Sequence, residues 1–379
     1  LYFSAFTRET DGAVMLTGSH NPPDFNGFKM MRGAYSVYGE EIQALRKLIE
    51  KEDYETGEGT HTIVDDAGER YVEWISERAQ MGDIPLKIVV DGGNGAAGPT
   101  IEPLLHALGV EVVPMFLEPD GNFPNHHPDP TVSENLEQLR DRVLAEGAHF
   151  GIGFDGDGDR LGVVDGNGKT LWGDMLMIIF AREILRQEPG ATVVGEVKCS
   201  QSLFDDIEAH GGKAVMWKVG HSLIKAKMKE LGAQLAGEMS GHIFFKHRYF
   251  GFDDALYAAT RLAELVSRDG KPLSTHLDGV PDTFVTPEIR IDVPSDAVKF
   301  KAATAIAESF REEGAEGVRD IVTIDGVRVI FEDGWGLVRA SNTQPVLVMR
   351  AEATSEARRD AIEAALRERV AAAVAKYAE

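Results

Sequence analysis

Short runs of β-branched and other apolar residues alternate along the chain with stretches of helical periodicity. One such unit has a strand at Lys87–Val90, a helix containing Pro103–Leu108 and a second strand at Val110–Val113. Alternation of strands and helices predicts parallel sheets covered by helices. Because the pattern restarts several times, we expect tandem α/β units rather than one large sheet. Other apolar runs predict strands at Leu1–Phe3, Phe150–Phe154, Gly162–Val164, Ala191–Val194 and Ala214–Met216, and a buried helix or strand at Met175–Ala181.

The C-terminal region has a different pattern, in which strands come first and helices lie on one side. Asp325 and Gly326 form a hairpin-turn signal between two apolar runs. Ser355 is placed to cap a helix that runs to about Tyr377. Strands are predicted at Pro287–Val293, Val322–Ile324, Val327–Phe331 and Val346–Arg350. We therefore predict a separate α+β domain, with its boundary near Gly279–Asp282.

Composition and charge narrow the class of protein. A chain of 379 residues is too long for one core and predicts two to four domains. The net charge of −23 argues against a general nucleic-acid binder, because phosphate backbones require Lys and Arg surfaces. The single cysteine, Cys199, excludes an intrachain disulfide and a cysteine-based zinc site. No apolar run is near the ~18–20 residues that span a bilayer, and the start has no signal-peptide pattern. We therefore predict a cytoplasmic protein whose partners include neither a membrane nor a nucleic acid.

Four polar or glycine-rich loops stand out, and the first follows the apolar run Ala13–Leu16. It contains Ser19 next to His20, and Lys29 lies a few residues further on. Loops at the carboxyl ends of strands are where α/β sheets bind ligands. A serine beside a histidine suggests a nucleophile and a base. The alternative is a plain turn, because Gly, Asn and Pro are turn formers.

The second loop, directly after a predicted strand, contains Asp155, Asp157 and Asp159, followed by Arg160. Carboxylates crowded in this way are costly unless a cation neutralises them, and oxygen ligands indicate Mg²⁺ or Ca²⁺. An EF-hand requires Gly at position 6 and Glu at position 12, where this chain has Arg160 and Gly166. The sequence therefore favours a metal site of another kind, with an exposed acidic turn as the alternative.

The third loop contains Glu238 and Ser240, which together can bind vicinal hydroxyl groups of a sugar. A solvated turn is an equally good interpretation of this loop alone. The fourth loop combines an arginine with short hydroxyl and amide side chains, a composition that suits a phosphate group. Its residues are Arg339, Ser341, Asn342 and Thr343. A hydrogen-bonded turn in a small domain is the alternative.

A fifth signal points to another class of site. Gly93–Gly98 has the spacing G-x-G-x-x-G between a predicted strand and a helix, and Glu111 lies 18 residues after Gly93. This arrangement is typical of dinucleotide sites. The same glycines also suit a tight strand-to-helix turn. A dinucleotide site leaves the aspartate loop and the Ser19 loop unexplained, so we favour the turn.

Taken together, the four loops resemble those of the α-D-phosphohexomutase superfamily, most closely its bacterial phosphomannomutase/phosphoglucomutase members. The resemblance covers essentially the whole chain, in the family's order. It implies an α/β fold of three related three-layer domains and a C-terminal α+β domain around a central cleft. The corresponding segments here are 1–65, with the phosphoserine loop, 66–169, with the metal loop, 170–281, with the sugar loop, and 282–379, with the phosphate loop.

The resemblance also implies a role for each loop residue. Ser19 matches the serine that is phosphorylated in the resting enzyme and contributes an oxygen to the metal. Asp155, Asp157 and Asp159 match the Mg²⁺ ligands. The residues matching groups near the transferred phosphoryl are His20, Lys29 and Arg160. The residues matching substrate-binding groups are the basic Lys198 and His221, the sugar-binding Glu238 and Ser240, and the phosphate-binding Arg339, Ser341, Asn342 and Thr343.

The implied reaction interconverts hexose 1-phosphate and hexose 6-phosphate through a 1,6-bisphosphate, with glucose 1,6-bisphosphate as activator. Met239 in the sugar loop is similar to the mannose and glucose mutases, whereas phosphoglucosamine mutases usually have Gln there. We expect a monomer or weak homodimer that accepts both sugars, with phosphoglucosamine mutase as an alternative. The family's first domain usually begins earlier than Leu1, with strands that support the phosphoserine loop. Two further alternatives are therefore a shortened chain that binds phosphosugar without turnover and a Mg²⁺-dependent phosphatase.

Overall fold

The computed structural model describes residues 1–19, 21, 24–313, 317–341 and 344–377. The chain divides into two compact units. Unit 1 contains Leu1–Gln187 and His221–Asp278, and unit 2 contains Glu188–Gly220 and Gly279–Glu379. Within the part of the chain that the structure describes, no helix is long and apolar enough to cross a membrane.

Unit 1 begins with helix α1, which spans Tyr2–Thr7. The prediction of a strand at Leu1–Phe3 is therefore wrong. Tyr2 and Ala5 are buried on one side of this helix, and Phe3 and Phe6 pack against other aromatic rings of unit 1. The apolar run thus serves the packing of a short helix. An antiparallel sheet and a second helix follow, with β1 at Gly12–Thr17, β2 at Gly27–Arg32, β3 at Tyr35–Ser36 and α2 at Glu40–Glu50.

The next part of unit 1 is a five-stranded sheet with helices. Its strands lie in the order β5-β4-β6-β7-β8, with β4 parallel to β5 and β6, and with antiparallel pairing from β6 onward. The elements in chain order are α3 (Ala67–Ser76), β4 (Lys87–Asp91), α4 (Gly98–Ala107), β5 (Glu111–Met115), α5 (Glu137–Glu146), β6 (Phe150–Phe154), β7 (Leu161–Asp165) and β8 (Thr170–Leu171). The predicted strand–helix alternation is confirmed here. All five residues of β6 are buried, and the aspartate loop follows directly.

The following segment contributes elements to both units. The apolar run at Met175–Ala181 belongs to a buried helix, α6, which spans Gly173–Gln187 in unit 1. Unit 2 then contains β9 (Thr192–Glu196), α7 (Gln201–Ala209) and β10 (Lys213–Trp217), and the two strands are parallel. Unit 1 resumes with α8 (His221–Leu231), the antiparallel strands β11 (Leu235–Gly237) and β12 (Ile243–Phe245), and α9 (Ala255–Asp269).

The C-terminal part of unit 2 is a six-stranded antiparallel sheet with two helices. Its strand order is β13-β18-β17-β16-β15, and β14 also pairs with β18. The elements are β13 (Phe284–Val285), β14 (Ile289–Asp292), α10 (Asp296–Glu313), β15 (Val318–Val322), β16 (Val327–Phe331), β17 (Gly334–Ala340), β18 (Val346–Ala353) and α11 (Glu356–Tyr377). The hairpin at Asp325-Gly326 and the cap at Ser355 are confirmed, since Ser355 Oγ accepts from Arg358 N at 3.3 Å. The four domain boundaries stay a prediction.

A buried arginine fixes the loop after β9 within unit 2. Arg328 is fully buried and donates to the carbonyl oxygens of Val197 and Cys199 at 2.6 and 2.7 Å. It also donates to Gln201 Oε1 at 3.1 Å, and its guanidinium lies 3.8 Å from the ring centre of Trp335. Burial lowers the pKa of Arg328 to about 10. The planar guanidinium thus satisfies two buried carbonyls that no apolar side chain can satisfy.

Replacing Arg328 by methionine is expected to lower the free energy of unfolding by about 3 kcal/mol or more, because the buried carbonyls lose their donors. Urea denaturation followed by tryptophan fluorescence measures the effect. Arg319→Met is the matched control, since Arg319 is exposed on the neighbouring strand β15. Equal stability of the two variants contradicts a structural role for the buried guanidinium.

Candidate functional site

The Ser19 loop lies against the aspartate loop in unit 1. Ser19 follows β1 with a left-handed backbone, at φ 50°. Its hydroxyl donates to Asp155 Oδ2 at 3.3 Å, and its backbone N–H donates to Thr17 Oγ1 at 2.8 Å. Thr17 Oγ1 in turn donates to Asp157 Oδ2 at 2.8 Å. The end of β1 and the aspartate loop are therefore joined by side-chain hydrogen bonds. His20 lies outside the described residues.

Two glycines allow these backbones to come so close. A Cβ added at Gly156 would lie 2.0 Å from the carbonyl oxygen of Ser19. A Cβ added at Gly95 would lie 2.8 Å from the carbonyl oxygen of Gly156. The N–H of Ala96 donates to that same carbonyl at 2.9 Å. The glycine-rich turn after β4 thus supports the aspartate loop, which explains its spacing without a dinucleotide.

The acidic residues fit a hard divalent cation. Asp155, Asp157 and Asp159 each have a carboxylate oxygen within 4.8 Å of the others. Among the described residues, Asp157 Oδ1 and Asp159 Oδ1 are buried without a hydrogen-bond partner. Burial, with the charges of Asp159 and Asp157, raises the pKa of Asp155 well above its usual value. A bound cation would relieve this repulsion, and carboxylate oxygens are the ligands that Mg²⁺ prefers.

Lys29 and Arg160 add positive charge to the same loop. Lys29 lies on β2, opposite Met15, and its Nζ is 2.7 Å from Asp157 Oδ2 and also paired with Asp159. Burial acts to lower the pKa of Lys29, but the two aspartates outweigh it and hold the pKa above its usual value. Arg160 Nε lies 3.9 Å from Asp155 Oδ2. Both cationic side chains therefore lie at the aspartate loop, whose Asp155 also accepts from the Ser19 hydroxyl.

The sugar loop, between β11 and β12, lies against the aspartate loop in unit 1. The backbones of Arg160 and His242 form an antiparallel bridge, and Arg160 Nε lies 3.1 Å from His242 Nε2. Ser240 Oγ donates to Glu238 Oε2 at 3.4 Å. Glu238 is buried, and its backbone N–H donates to the His242 carbonyl at 2.9 Å. The fold therefore brings the first three predicted loops together.

A buried cluster beside these loops was missed by sequence reasoning. Its members are His242, Asp253 and Lys225. His242 Nδ1 lies 3.3 Å from Asp253 Oδ2, and Lys225 Nζ donates to Asp253 Oδ1 at 2.9 Å. His242 ends the sugar-loop motif, so its position was a usable signal, whereas Asp253 and Lys225 have no local motif. Burial lowers the pKa of His221 to about 4, so this side chain is neutral at neutral pH rather than a basic group.

Unit 2 contains the remaining predicted residues. Lys198 follows β9, and its Nζ lies 3.2 Å from Glu288 Oε2. Arg339 is the next-to-last residue of β17 and donates through Nε to Asp325 Oδ2 at 3.0 Å. Ser341 Oγ accepts from Gln344 N at 3.3 Å. Asn342 and Thr343 lie outside the described residues. Of the four residues predicted to bind phosphate, the structure therefore describes two, the buried Arg339 and Ser341.

Comparisons with known proteins identify relatives along the whole chain. Four models of the phosphoglucomutase/phosphomannomutase family match, as α/β/α domains I, II and III at residues 1–56, 69–168 and 172–284 and as the C-terminal domain at 288–369. A phosphomannomutase/phosphoglucomutase of Pseudomonas aeruginosa is 49% identical over 372 residues, which is 98% of this chain and 79% of the relative. A phosphoglucomutase of Neisseria gonorrhoeae is 45% identical over 358 residues, covering 94% of this chain and 77% of the relative.

Solved structures of similar proteins have the same fold. A Burkholderia thailandensis protein of the phosphoglucomutase/phosphomannomutase family has a TM-score of 0.88 and 45% identity, covering 97% of this chain and 77% of that one. An Aspergillus fumigatus N-acetylphosphoglucosamine mutase, determined in complex with glucose 1,6-bisphosphate, has a TM-score of 0.66 and 15% identity. That match covers 96% of this chain and 88% of the other, and at this identity it shows the fold alone.

Proposed function

The chain belongs to the phosphoglucomutase/phosphomannomutase family, and we propose which of its residues carry out the reaction. The enzyme is a phosphohexomutase that interconverts the 1- and 6-phosphates of glucose and mannose, through a phosphoserine and a hexose 1,6-bisphosphate. One observation supports the assignment of residues most directly. The hydroxyl of Ser19 lies 3.3 Å from Asp155, in the loop whose carboxylates also contact Lys29 and Arg160.

Ser19 is the group that carries the phosphoryl. In the first half-reaction, phosphorylated Ser19 donates its phosphoryl to the free hydroxyl of a hexose 1-phosphate or 6-phosphate. The resulting 1,6-bisphosphate reverses its orientation in the site, and its other phosphoryl is then transferred back to Ser19. Lys29 and Arg160 stabilise negative charge that spreads over the phosphoryl oxygens during transfer. Glucose 1,6-bisphosphate activates the enzyme because it can phosphorylate an unmodified Ser19.

Three carboxylates are the proposed ligands of Mg²⁺. The family depends on this ion, and Asp155, Asp157 and Asp159 offer buried oxygens for it. A Mg²⁺ ion held by these carboxylates would withdraw negative charge from a phosphoryl group on Ser19. The Ser19 hydroxyl, hydrogen-bonded to Asp155, is placed to supply a further oxygen of that site.

His242 is our candidate for the group that takes the proton from the sugar hydroxyl. It is a buried imidazole in contact with Arg160, and it lies on the loop that also carries the proposed sugar ligands Glu238 and Ser240. Positioned imidazoles of this kind typically contribute about 10²–10⁴-fold to a proton transfer. We also propose that His20 lies near the transferred phosphoryl. The residues that we propose to bind the substrate in addition are Lys198, His221, Arg339, Ser341, Asn342 and Thr343.

A coupled assay tests the proposed function on this chain. The reaction contains Mg²⁺, a trace of glucose 1,6-bisphosphate and either glucose, mannose or glucosamine 1-phosphate. The 6-phosphate product and free phosphate are measured separately. We expect 6-phosphate from glucose and mannose with little free phosphate, because the acceptor is a sugar hydroxyl rather than water.

Each alternative has its own signature in this assay. Stoichiometric free phosphate indicates a phosphatase, and preference for glucosamine 1-phosphate indicates a phosphoglucosamine mutase. Binding of glucose 1-phosphate by calorimetry without turnover indicates a chain that binds the substrate only. Any of these results overturns the proposal for this chain. A monomeric or weakly dimeric state and a cytoplasmic location stay predictions from the sequence.

A further inference from the structure

The two ring nitrogens of His242 have different nearest neighbours. Nε2 lies 3.1 Å from Arg160 Nε, with Glu238 Oε2 further away at 3.9 Å. A guanidinium has donors only, so Nε2 is the acceptor in this contact and carries no proton. Nδ1, on the other side of the ring, lies 3.3 Å from Asp253 Oδ2 and 3.5 Å from Asp159 Oδ1. The hydrogen-bond neighbours therefore assign the tautomer that has its proton on Nδ1.

Asp253 is the acceptor placed to fix this tautomer. Its side chain is fully buried, and among the described residues neither its Oδ2 nor His242 Nδ1 has a hydrogen-bond partner, although the two atoms face each other at 3.3 Å. This distance is slightly longer than an ordinary N–H···O hydrogen bond, and a small rotation of the imidazole ring would close it. Asp159, the other neighbour of Nδ1, belongs to the proposed metal loop and already pairs with Lys29. A permanent acceptor for Nδ1 therefore has to come from Asp253.

Other contacts fix the position of Asp253, on the side of its carboxylate away from His242. Lys225 Nζ donates to its Oδ1 at 2.9 Å and to Tyr2 Oη at 2.7 Å. The backbone of Asp253 forms a bridge with Phe244, and the next residue, Asp254, caps helix α9. An ammonium group has donors only, so Lys225 always requires an oxygen on its side of Asp253. The second oxygen is thereby directed to His242.

We propose that Asp253 is a positioning residue for His242, which it holds as the Nδ1–H tautomer. Nε2 then keeps a lone pair, which accepts from Arg160 Nε in this structure and accepts the sugar proton once Arg160 has turned to the phosphoryl. This inference rests on the proposed function. In the first half-reaction the hydroxyl O–H bond breaks and its proton moves to Nε2. The hydroxyl oxygen bonds to phosphorus while the bond from phosphorus to Ser19 Oγ breaks. In the second half-reaction the proton returns from Nε2 to the departing sugar oxygen.

Asp253→Asn is the first test, because an amide has one oxygen and one NH₂ group. Lys225 attracts the amide oxygen, so the NH₂ group faces Nδ1 and favours the opposite tautomer. We expect kcat to fall about 10²–10⁴-fold, since the wrong nitrogen then carries the proton. KM is expected to change little, because no substrate contact is removed.

Nitrogen-15 NMR of the Mg²⁺-loaded, histidine-labelled protein reads the tautomer directly. We expect the His242 signals of the unmodified protein to show the proton on Nδ1, and those of Asp253→Asn to show it on Nε2. Asp165→Asn is the matched control. Asp165 is also a fully buried aspartate, but its Oδ1 accepts only the turn N–H groups of Asn167 and Lys169 among the described residues. This variant is expected to leave the His242 signals unchanged.

A double variant separates positioning from a merely structural role. In Asp253→Asn combined with Lys225→Met, the described residue that donates to this side of residue 253 is gone, and the amide oxygen can turn to accept from Nδ1. We expect the double variant to recover at least about 10-fold of the kcat that Asp253→Asn lost, a non-additive effect between neighbours. A structural role predicts that removing a second buried polar group lowers kcat further.

Three results overturn the proposal: a proton on Nε2 in the unmodified protein, an unchanged tautomer in Asp253→Asn, and no recovery in the double variant. Each can occur in a chain with normal mutase turnover, so each counts against the role of Asp253 and not against the proposed function. Absence of turnover in the unmodified chain counts against the proposed function, and the NMR comparison still decides the tautomer.

Discussion

Ser19→Ala is expected to abolish both mutase turnover and covalent labelling by radioactive glucose 1,6-bisphosphate. The hydroxyl that donates to Asp155 is the only proposed phosphoryl acceptor on the protein, and removing it leaves no route to the bisphosphate. Loss of a covalent nucleophile lowers kcat by about 10⁴-fold or more. The substitution keeps the Cβ atom and removes only the hydroxyl oxygen. The fold is therefore expected to be kept.

Ser133→Ala is the matched control, because Ser133 is exposed on the short 3-10 helix Ser133–Leu136. The measurements are the coupled assay, the amount of label that remains on the acid-quenched protein, and the melting temperature. Label that persists on Ser19→Ala would show that another residue carries the phosphoryl. Turnover within about 10-fold of the unmodified chain contradicts a phosphoserine mechanism at this position.

Gly156→Ala is expected to lower kcat/KM at least about 100-fold, because a displacement of about 1 Å is enough to disrupt a reacting geometry. The added Cβ would lie 2.0 Å from the carbonyl oxygen of Ser19, which is backbone and cannot rotate away. The aspartate loop and the Ser19 loop therefore have to separate. Separation moves the proposed metal ligands Asp155 and Asp157 away from the Ser19 hydroxyl while leaving each residue in the protein.

Gly121→Ala is the control for the added methyl group, since among the described residues no atom from another part of the chain lies within 4 Å of a Cβ at this exposed position. Binding of Mn²⁺, followed by electron paramagnetic resonance, shows whether the three carboxylates still hold a divalent ion. We expect Gly156→Ala to bind the ion but to transfer phosphoryl slowly. Activity close to that of Gly121→Ala shows that the contact between the two loops is not part of the reacting arrangement.

Local signals in the sequence predicted much of the fold. Phe150–Phe154 is a strand with the predicted bounds, the Asp325-Gly326 turn joins β15 and β16, and Ser355 begins α11. These features depend on backbone preferences and on burial patterns among neighbouring residues. Leu1–Phe3 was assigned wrongly because a short apolar run has no period of its own. Its helical form depends on aromatic partners such as Trp74 and Phe250, which lie far along the chain.

The sequence predicted the aspartate loop of the site but left the role of the glycine-rich turn open. Glycines between Asp155, Asp157 and Asp159 predict a tight acidic loop, and the structure has one that fits a divalent ion. The glycine-rich turn after β4 was less clear, because its spacing suits a dinucleotide as well as a support for another loop. Only the approach of Gly95 to Gly156 distinguishes these interpretations.

By itself, the sequence predicted several of the strands and turns, the loops that contain the reactive side chains, and an acidic loop that favours a bound cation. Tertiary structure alone decided that His221 is neutral, that Ser19 donates to Asp155, and that Asp253 faces His242. The physical reason is the range of each effect. Turns and ligand types depend on residues that are neighbours in sequence, whereas tautomers and pKa shifts depend on burial and on charges that the fold brings together from distant segments.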